Sequence, residues 1–87
     1  MPIGKILEDA MRERKRLSIE YISSENSDGL GYKKSRLIDI YEIKRDSIEA
    51  FCHLRQGLRN FRISRILKAE LTNESYSVPQ DFQNSLF

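Results

Sequence analysis

Basic side chains are concentrated in one stretch of the sequence, between positions 55 and 68. The stretch holds five basic residues and no Asp or Glu, and four of the five are Arg. Arg donates bidentate hydrogen bonds to phosphate and stacks on nucleobases through its planar guanidinium group. This composition favours a surface that binds a phosphate-bearing ligand. The five residues are Arg55, Arg59, Arg62, Arg65 and Lys68.

Three further residues could complete such a surface. Phe51 and His53 offer a stacking surface and an imidazole donor, and aromatic side chains beside Arg on a sheet often hold single-stranded nucleic acid. Arg36 stands alone in an apolar stretch, where a charge needs a partner or a ligand. The alternative is that strand arginines cover apolar surface with their aliphatic stems and keep the domain in solution. We interpret the acid-free run as a binding face.

The sequence shows no pattern that predicts catalysis. Cys52 and His53 are adjacent on a predicted strand, so they point to opposite faces and cannot form a thiolate–imidazole pair. Gly29 and Gly31 lack the following helix that a phosphate-binding loop requires. A single Cys excludes an intrachain disulfide and a multi-Cys zinc site, and His53 has no partners for a metal. We therefore expect no enzymatic activity, no cofactor and no metal.

Length and composition restrict the class of protein. The chain has 87 residues with a net charge of +2, which fits one small globular domain. No apolar run approaches the roughly 20 residues that span a bilayer, and the N-terminus has the wrong charge order for a secretory signal. A single Cys suits a reducing compartment. These features predict a cytoplasmic protein with no membrane partner.

The pattern of apolar residues predicts one helix, over about residues 3–16, that begins after Pro2. Its apolar stripe has helical spacing and comprises Ile3, Ile6, Leu7, Ala10 and Met11. The basic residues from Arg12 to Arg16 are interpreted as a helix end that matches the dipole, with a nucleic-acid patch as the alternative.

The rest of the chain predicts a small barrel over about residues 17–72. A five-stranded set of this kind closes into a barrel that removes exposed edges. The predicted C-terminal extension, 73–87, is either packed or frayed. The predicted strands are 17–22, 32–43, 48–54, 58–63 and 66–72, with a loop at 23–31 and a turn at 44–47.

A tight turn at Gln56-Gly57 is expected to join the third and fourth strands. A two-residue loop would pair Cys52 with Phe61, Phe51 with Arg62, and His53 with Asn60, among others. The expected core face then holds Ala50, Cys52, Leu54, Phe61 and Ile63. The expected outer face holds Phe51, His53, Asn60 and Arg62.

Three stretches resemble a WYL domain: ILEDAMRERKRLSIEYIS, SRLIDIYEI and AFCHLRQGLRNFRISRI. The resemblance covers about residues 3–72, and its most specific part is the spacing of aromatic and Arg residues in the last stretch. The tripeptide that names the family falls on Asp46-Ser47-Ile48, where only the aliphatic position is retained, and Ile40 replaces a usual Pro. Such domains usually follow a helix-turn-helix domain, so the chain is expected to be either a free-standing module or a fragment.

The resemblance implies a mainly β fold with one N-terminal helix, a five-stranded Sm-like or SH3-like barrel. It also implies a ligand-sensing regulatory module of bacteria, linked to transcription, DNA damage or phage defence, that binds nucleic acid or nucleotide-like ligands on its basic face. Carried over by position, the candidate contacts are Arg36, His53, Arg55, Arg59 and Arg62, with Tyr21 and Arg65 as second-tier residues that could be structural.

Two hypotheses about function follow. The first is a non-enzymatic regulatory domain that binds single-stranded nucleic acid or a nucleotide through Arg36, Phe51, His53 and the arginines of the basic run. The second is a module for protein interaction or oligomerisation, as a homodimer or with a regulatory partner, because small barrels pair through exposed strand edges.

Overall fold

Helix α1 (Ile3–Glu13) begins the fold, and five antiparallel strands follow it in a single sheet of order β4-β3-β2-β1-β5. The structure is a computed structural model that describes residues 2–23, 32–80 and 82. The predicted mainly β class with one N-terminal helix is confirmed, whereas the loop predicted at 23–31 lies outside the described residues except for Ser23. The strands are β1 (Lys15–Ser23), β2 (Tyr32–Ile43), β3 (Ser47–Cys52), β4 (Gly57–Arg62) and β5 (Ile66–Ser75), with a short 3-10 helix at Ile63–Arg65.

The helix ends three residues before the predicted end. Arg14 adopts a left-handed conformation with φ of 54°, and its amide donates to the carbonyls of Ala10 and Met11. Lys15 and Arg16 therefore belong to β1, and the predicted cluster of cations at the helix end is wrong. Leu7 and Ala10 are the fully buried residues of the helix, as the apolar stripe requires.

The sheet curls so that β1 contacts β4, which lies three positions away from it in the strand order. The rings of Tyr21 and Phe61 meet edge to face, with centroids 5.0 Å apart. The Tyr21 hydroxyl accepts a hydrogen bond from the Arg62 amide at 3.0 Å. These contacts close the barrel around a core of fully buried side chains: Leu7, Leu17, Ile19, Ile38, Ile40, Ile48, Cys52 and Phe61.

The predicted register of the β3–β4 hairpin is wrong. Cys52 pairs with Gly57 and Phe51 with Leu58, so four residues, 53–56, form the turn instead of two. Gln56 supplies the positive φ, at 56°, and its side-chain amide donates to the His53 carbonyl at 2.7 Å. Gly57 begins β4 instead of turning the chain.

The new register changes the two faces of the hairpin. Arg59 lies opposite Ala50 on the inward face, where Ile63 was expected. Leu54 is 53% exposed in the turn and does not belong to the core. Ile63 falls in the 3-10 helix but still packs, half-buried, against the core, so of the expected core face only Leu54 is lost.

The segment after β5 is packed on the domain as far as it is described. The amide of Tyr76 donates to the Arg14 carbonyl at 3.0 Å, and its hydroxyl donates to the Ile40 carbonyl. Its ring stacks on Tyr41, whose other neighbour is Phe82 at 5.1 Å. Within the described ranges, no helix is long and apolar enough to cross a membrane.

Candidate anion-binding site

A cleft of about 330 Å³ lies where the β3–β4 turn meets β1 and β2. It forms because the amide of His53 donates to the Leu37 carbonyl at 3.0 Å, which holds the start of the turn against β2. Two serines, two basic residues and two leucines line it: Ser18, Ser35, Arg36, Leu37, His53 and Leu54.

Arg36 lies between Ser35 and Leu37 in β2, and its side chain lies on the opposite, inward face of the strand. Only 5% of the residue is exposed, yet its Nε and Nη1 atoms are buried and have no hydrogen-bond partner among the described residues. A buried donor without a partner costs about 1–3 kcal/mol, and more when it is charged. These two guanidinium nitrogens are therefore dehydrated without a compensating hydrogen bond from the described residues.

The strand register explains why Arg36 is buried. In β2, Arg36, Ile38 and Ile40 alternate onto the inward face, and all three are buried. Arg36 lies opposite Ile19 of β1. An Arg therefore continues the apolar row of the core, on the face of β2 opposite to Ser35 and Leu37.

His53 is held by a buried carboxylate. Its Nε2 lies 2.9 Å from Oδ2 of Asp39, a residue that is 5% exposed. Arg16 donates from Nε to Oδ1 of the same carboxylate at 2.8 Å and from Nη1 to Glu74 at 3.1 Å. The Asp39 carboxylate thus ties β1 to the β3–β4 turn.

The charge of Asp39 acts on its neighbours. The pKa of Arg16 is raised, mainly by its hydrogen bond to Asp39, although burial opposes this. The pKa of Tyr41 is also raised, first by burial and then by the negative charge of Asp39. The Arg16 guanidinium and the Asp39 carboxylate form an ion pair whose opposite charges offset each other.

Phe51 lies beside His53, as the sequence suggested, although in a different register. The two rings meet edge to face, with centroids 5.0 Å apart. Phe51 pairs with Asp39 on one side and with Leu58 on the other. The structure thus places Phe51 beside His53, whereas the Arg36 side chain lies on the inward face of the sheet.

The remaining candidates lie elsewhere on the hairpin. Arg55 is exposed in the turn, whereas Arg59 points inward with its guanidinium 5.8 Å from the Phe61 ring centre. Arg62 pairs with Ser47, so the expected pairing of Arg62 with Phe51 is wrong. Five strand residues separate it from the turn, which corresponds to roughly 17 Å.

Arg62 lines a second cleft, of about 390 Å³, at the far end of the hairpin. Arg45, Asp46, Ile63 and Ser64 complete that lining. The second-tier residues lie close to this end: Arg65 is half-buried in the 3-10 helix, and Tyr21 makes the barrel-closing contacts described above.

The sequence reasoning missed two residues that organise the first cleft. Asp39 and Arg16 are 23 positions apart, and His53 lies 14 positions beyond Asp39. One signal was present, because Asp39 stands between Ile38 and Ile40 in a strand expected to be covered on both sides. A carboxylate in that position requires a cation or a donor.

The geometry does not pair Cys52 with His53 in the way a thiol nucleophile would need. Cys52 is fully buried on the inward face, and His53 is engaged with Asp39. In the part of the chain that the structure describes, no group of three or more His, Cys, Asp or Glu side chains could hold a metal ion. The cleft can bind an anion and contact an apolar group beside it.

Comparison with known proteins gives a family match and a structural match. The family model of the WYL domain matches residues 3–71. The chain is similar to the solved structure of proteasome accessory factor B/C (PafBC) of Arthrobacter aurescens, with 28% identity and a TM-score of 0.68. The similar region covers 85% of this chain and 11% of that one. No curated protein matches the chain significantly.

Proposed function

Because the chain belongs to the WYL domain family, we propose that it is a ligand-sensing regulatory domain that acts in the cytoplasm. The family match and the similarity to PafBC support a regulatory domain without enzymatic activity. The proposed ligand is single-stranded nucleic acid or a nucleotide-like molecule, and the proposed process is transcriptional or defence regulation.

The observation that carries this proposal is the buried guanidinium of Arg36. Stability alone does not favour a dehydrated cation without a partner, so its presence indicates that a ligand anion compensates it. The hydroxyls of Ser18 and Ser35 lie on the outer face of β1 and β2, beside Leu37, where they would contact a ligand separately from Arg36. Phe51 and His53 would support a base or a sugar.

The arginines outside this cleft would contact further phosphates of a strand. Arg55 and Arg62 lie at opposite ends of the hairpin, roughly 17 Å apart along the strands. A single-stranded ligand that crosses the outer face of β3 and β4 would reach both ends. Arg59, which points inward, would add to the positive electrostatic potential of the site without contacting the ligand.

Fluorescence polarisation with labelled single-stranded DNA and RNA tests the proposal. We expect saturable binding that weakens steeply with salt, because phosphate contacts release counterions. The double variant Arg55→Ala, Arg62→Ala should bind more weakly at low salt, and its thermal midpoint should stay within about 2 °C of the parent, because both side chains are exposed.

A matched control is Lys5→Ala, which removes an exposed cation from helix α1. Lys5 pairs with Asp9 at 3.2 Å and belongs to neither cleft. Its affinity should be close to that of the parent. An equal loss in both variants, or a loss that only follows unfolding, would contradict the assignment of the basic face.

The alternative function is a module for protein interaction or oligomerisation. The observation that favours it is the exposure of leucines at both edges of the sheet. Leu58 on β4 and Leu67 on β5 are 51% and 48% exposed, and β4 and β5 are the edge strands. Light scattering at two salt concentrations without nucleic acid distinguishes the two: a stable oligomer that is insensitive to salt would favour the alternative.

A further inference from the structure

Strand β5 forms one edge of the sheet, and its central residues are arranged symmetrically by type. Among the strands of the described residues β5 has one neighbour, β1, so no strand lies beside its other edge. The residues from Leu67 to Leu71 read Leu-Lys-Ala-Glu-Leu, with the leucines and the opposite charges placed symmetrically about Ala69. An open edge strand is a template for pairing with another chain, and a symmetric one can pair with its own copy.

We propose that two copies of the chain associate through this edge, with their β5 strands antiparallel about a two-fold axis at Ala69. In that register Leu67 lies opposite Leu71 of the second copy, and Lys68 lies opposite Glu70 of the second copy. Each pair occurs twice, as an interface with two-fold symmetry requires. The inference gives a specific surface to the oligomerisation named above as the alternative function. It does not depend on the proposed ligand, because β5 and the β3–β4 hairpin lie at opposite ends of the strand order.

The apolar residues of β5 lie on the side of the strand that faces the core. From Lys68 to Leu71 the strand pairs regularly with β1, so its side chains alternate between the two faces of the sheet. Ala69 and Leu71 lie opposite Ile19 and Leu17, which are both fully buried. Leu71 is nevertheless 43% exposed, so the core has an apolar margin that reaches the open edge.

Leu67 extends this apolar margin. It is the extra residue of a β-bulge, because Ile66 pairs with Tyr21 and Lys68 pairs with Glu20. Alternation places the Leu67 side chain on the side opposite to Lys68, and it is 48% exposed. In the proposed register two such leucines from each copy would be removed from water, which favours association.

The charged side of β5 selects the register. Lys68 and Glu70 form an ion pair of 3.7 Å within the strand, and their side chains are 64% and 70% exposed. A lone Lys on an edge discourages pairing with another chain, whereas here each Lys68 would meet a Glu70. A register shifted by two residues would place Lys68 opposite Lys68, or Glu70 opposite Glu70. A shift by one residue would bring the apolar side of one strand onto the charged side of the other.

The other edge of the sheet lacks this complementarity. Strand β4 has the sequence GLRNFR, with two arginines and no acidic residue. Two copies of β4 would therefore bring four cations together with no anion on either strand. The charges thus favour β5 as the edge that pairs with its own copy.

Sedimentation velocity of the full 87-residue chain, without nucleic acid, tests the inference from about 10 μM to about 1 mM. We expect a reversible dimer that dissociates on dilution, because one short pair of strands makes a small interface. Lys68→Glu and Glu70→Lys each place like charges at both charged pairs, so each should weaken the dimer by about tenfold. An equimolar mixture of these two variants has opposite charges at both pairs, so it should form a dimer again.

The matched control is Arg62→Glu, which reverses an exposed cation on the other edge strand, β4. Its dimer should have the affinity of the parent. Circular dichroism checks the folding of each variant, and the thermal midpoints should stay within about 2 °C of the parent, because the three side chains are exposed.

The outcomes separate this inference from the functions proposed above. A chain that remains monomeric up to about 1 mM would overturn both the inference and the alternative function, and would leave the ligand proposal standing. A dimer that persists in Lys68→Glu and Glu70→Lys, or that Arg62→Glu dissociates, would overturn the assignment to β5 and leave oligomerisation standing. A dimer that is lost in each single variant and regained in their mixture would support the inference, because mixing does not repair a misfolded chain.

Discussion

Replacing Arg36 by Met should stabilise the folded domain, although most core substitutions destabilise. Met retains an unbranched side chain of similar length, so the packing made by the Arg stem is largely preserved. The substitution removes two buried nitrogen donors that have no partner among the described residues. Burying such a donor without a partner costs about 1–3 kcal/mol, so we expect the free energy of unfolding to rise by about that amount.

For a domain of this size, 1 kcal/mol shifts the thermal midpoint by about 4–8 °C. Urea unfolding followed by far-ultraviolet circular dichroism measures the change, because the chain has no Trp to report by fluorescence. The matched control is Arg16→Met, which removes a cation from the adjacent strand. That variant removes a hydrogen-bond donor from buried Asp39, so its free energy of unfolding should fall by about 1–3 kcal/mol.

Opposite signs for the two substitutions are the expected result. If Arg36→Met unfolds at lower urea, as Arg16→Met should, then the Arg36 guanidinium is satisfied in the free protein and the reasoning is refuted. Stabilisation by Arg36→Met would mean that the domain is less stable than it could be because it retains a cation for binding an anion. Ligand binding would then raise the free energy of unfolding by about 2.7 kcal/mol at a ligand concentration of 100 times Kd.

Four further results are expected. Phe61→Ala should lower the free energy of unfolding by about 3–5 kcal/mol, because the ring is fully buried against Tyr21; an unchanged urea midpoint would contradict this. Tyr21→Phe keeps that ring contact and leaves the Arg62 amide without its acceptor, so a loss of about 1–3 kcal/mol is expected in the same assay. Burial raises the pKa of Tyr76 above 10.0, so the folded state retains a proton that the unfolded chain loses, and the thermal midpoint should fall as pH rises above about 10; the fall should be shallower in Tyr76→Phe. Arg62→Ala should reduce the slope of log affinity against log salt by about one, which titrations at several salt concentrations will measure.

The order of elements was predictable from the sequence because it depends on local patterns. The bounds of β2 agree with the prediction, since Gly and polar residues flank a run of β-branched and aromatic residues. The hairpin register was not predictable from the rule that Gly occupies a tight turn. Gln56 adopts the positive φ here and is supported by its own hydrogen bond to His53, so Gly57 was free to begin β4.

The candidate site was predictable only in part. Arg36 was identifiable because a single cation in an apolar strand needs compensation, and that argument requires no tertiary structure. The link from Arg16 through Asp39 to His53 joins three distant parts of the chain and depends on the way the sheet brings them together. The separation of Arg62 from Phe51 followed from the register, so the error in the turn also misplaced a site residue.

The passage from helix α1 to β1 has a mechanical consequence. A single residue, Arg14, separates the last helical residue from the first strand residue, so the helix is joined to β1 without a flexible linker. The helix has 11 residues, which is about 16 Å of rise. A rotation of about 10° at Arg14 would displace Ile3 by about 3 Å. A small adjustment of β1, the strand that carries Arg16 and Ser18, would therefore tilt the helix.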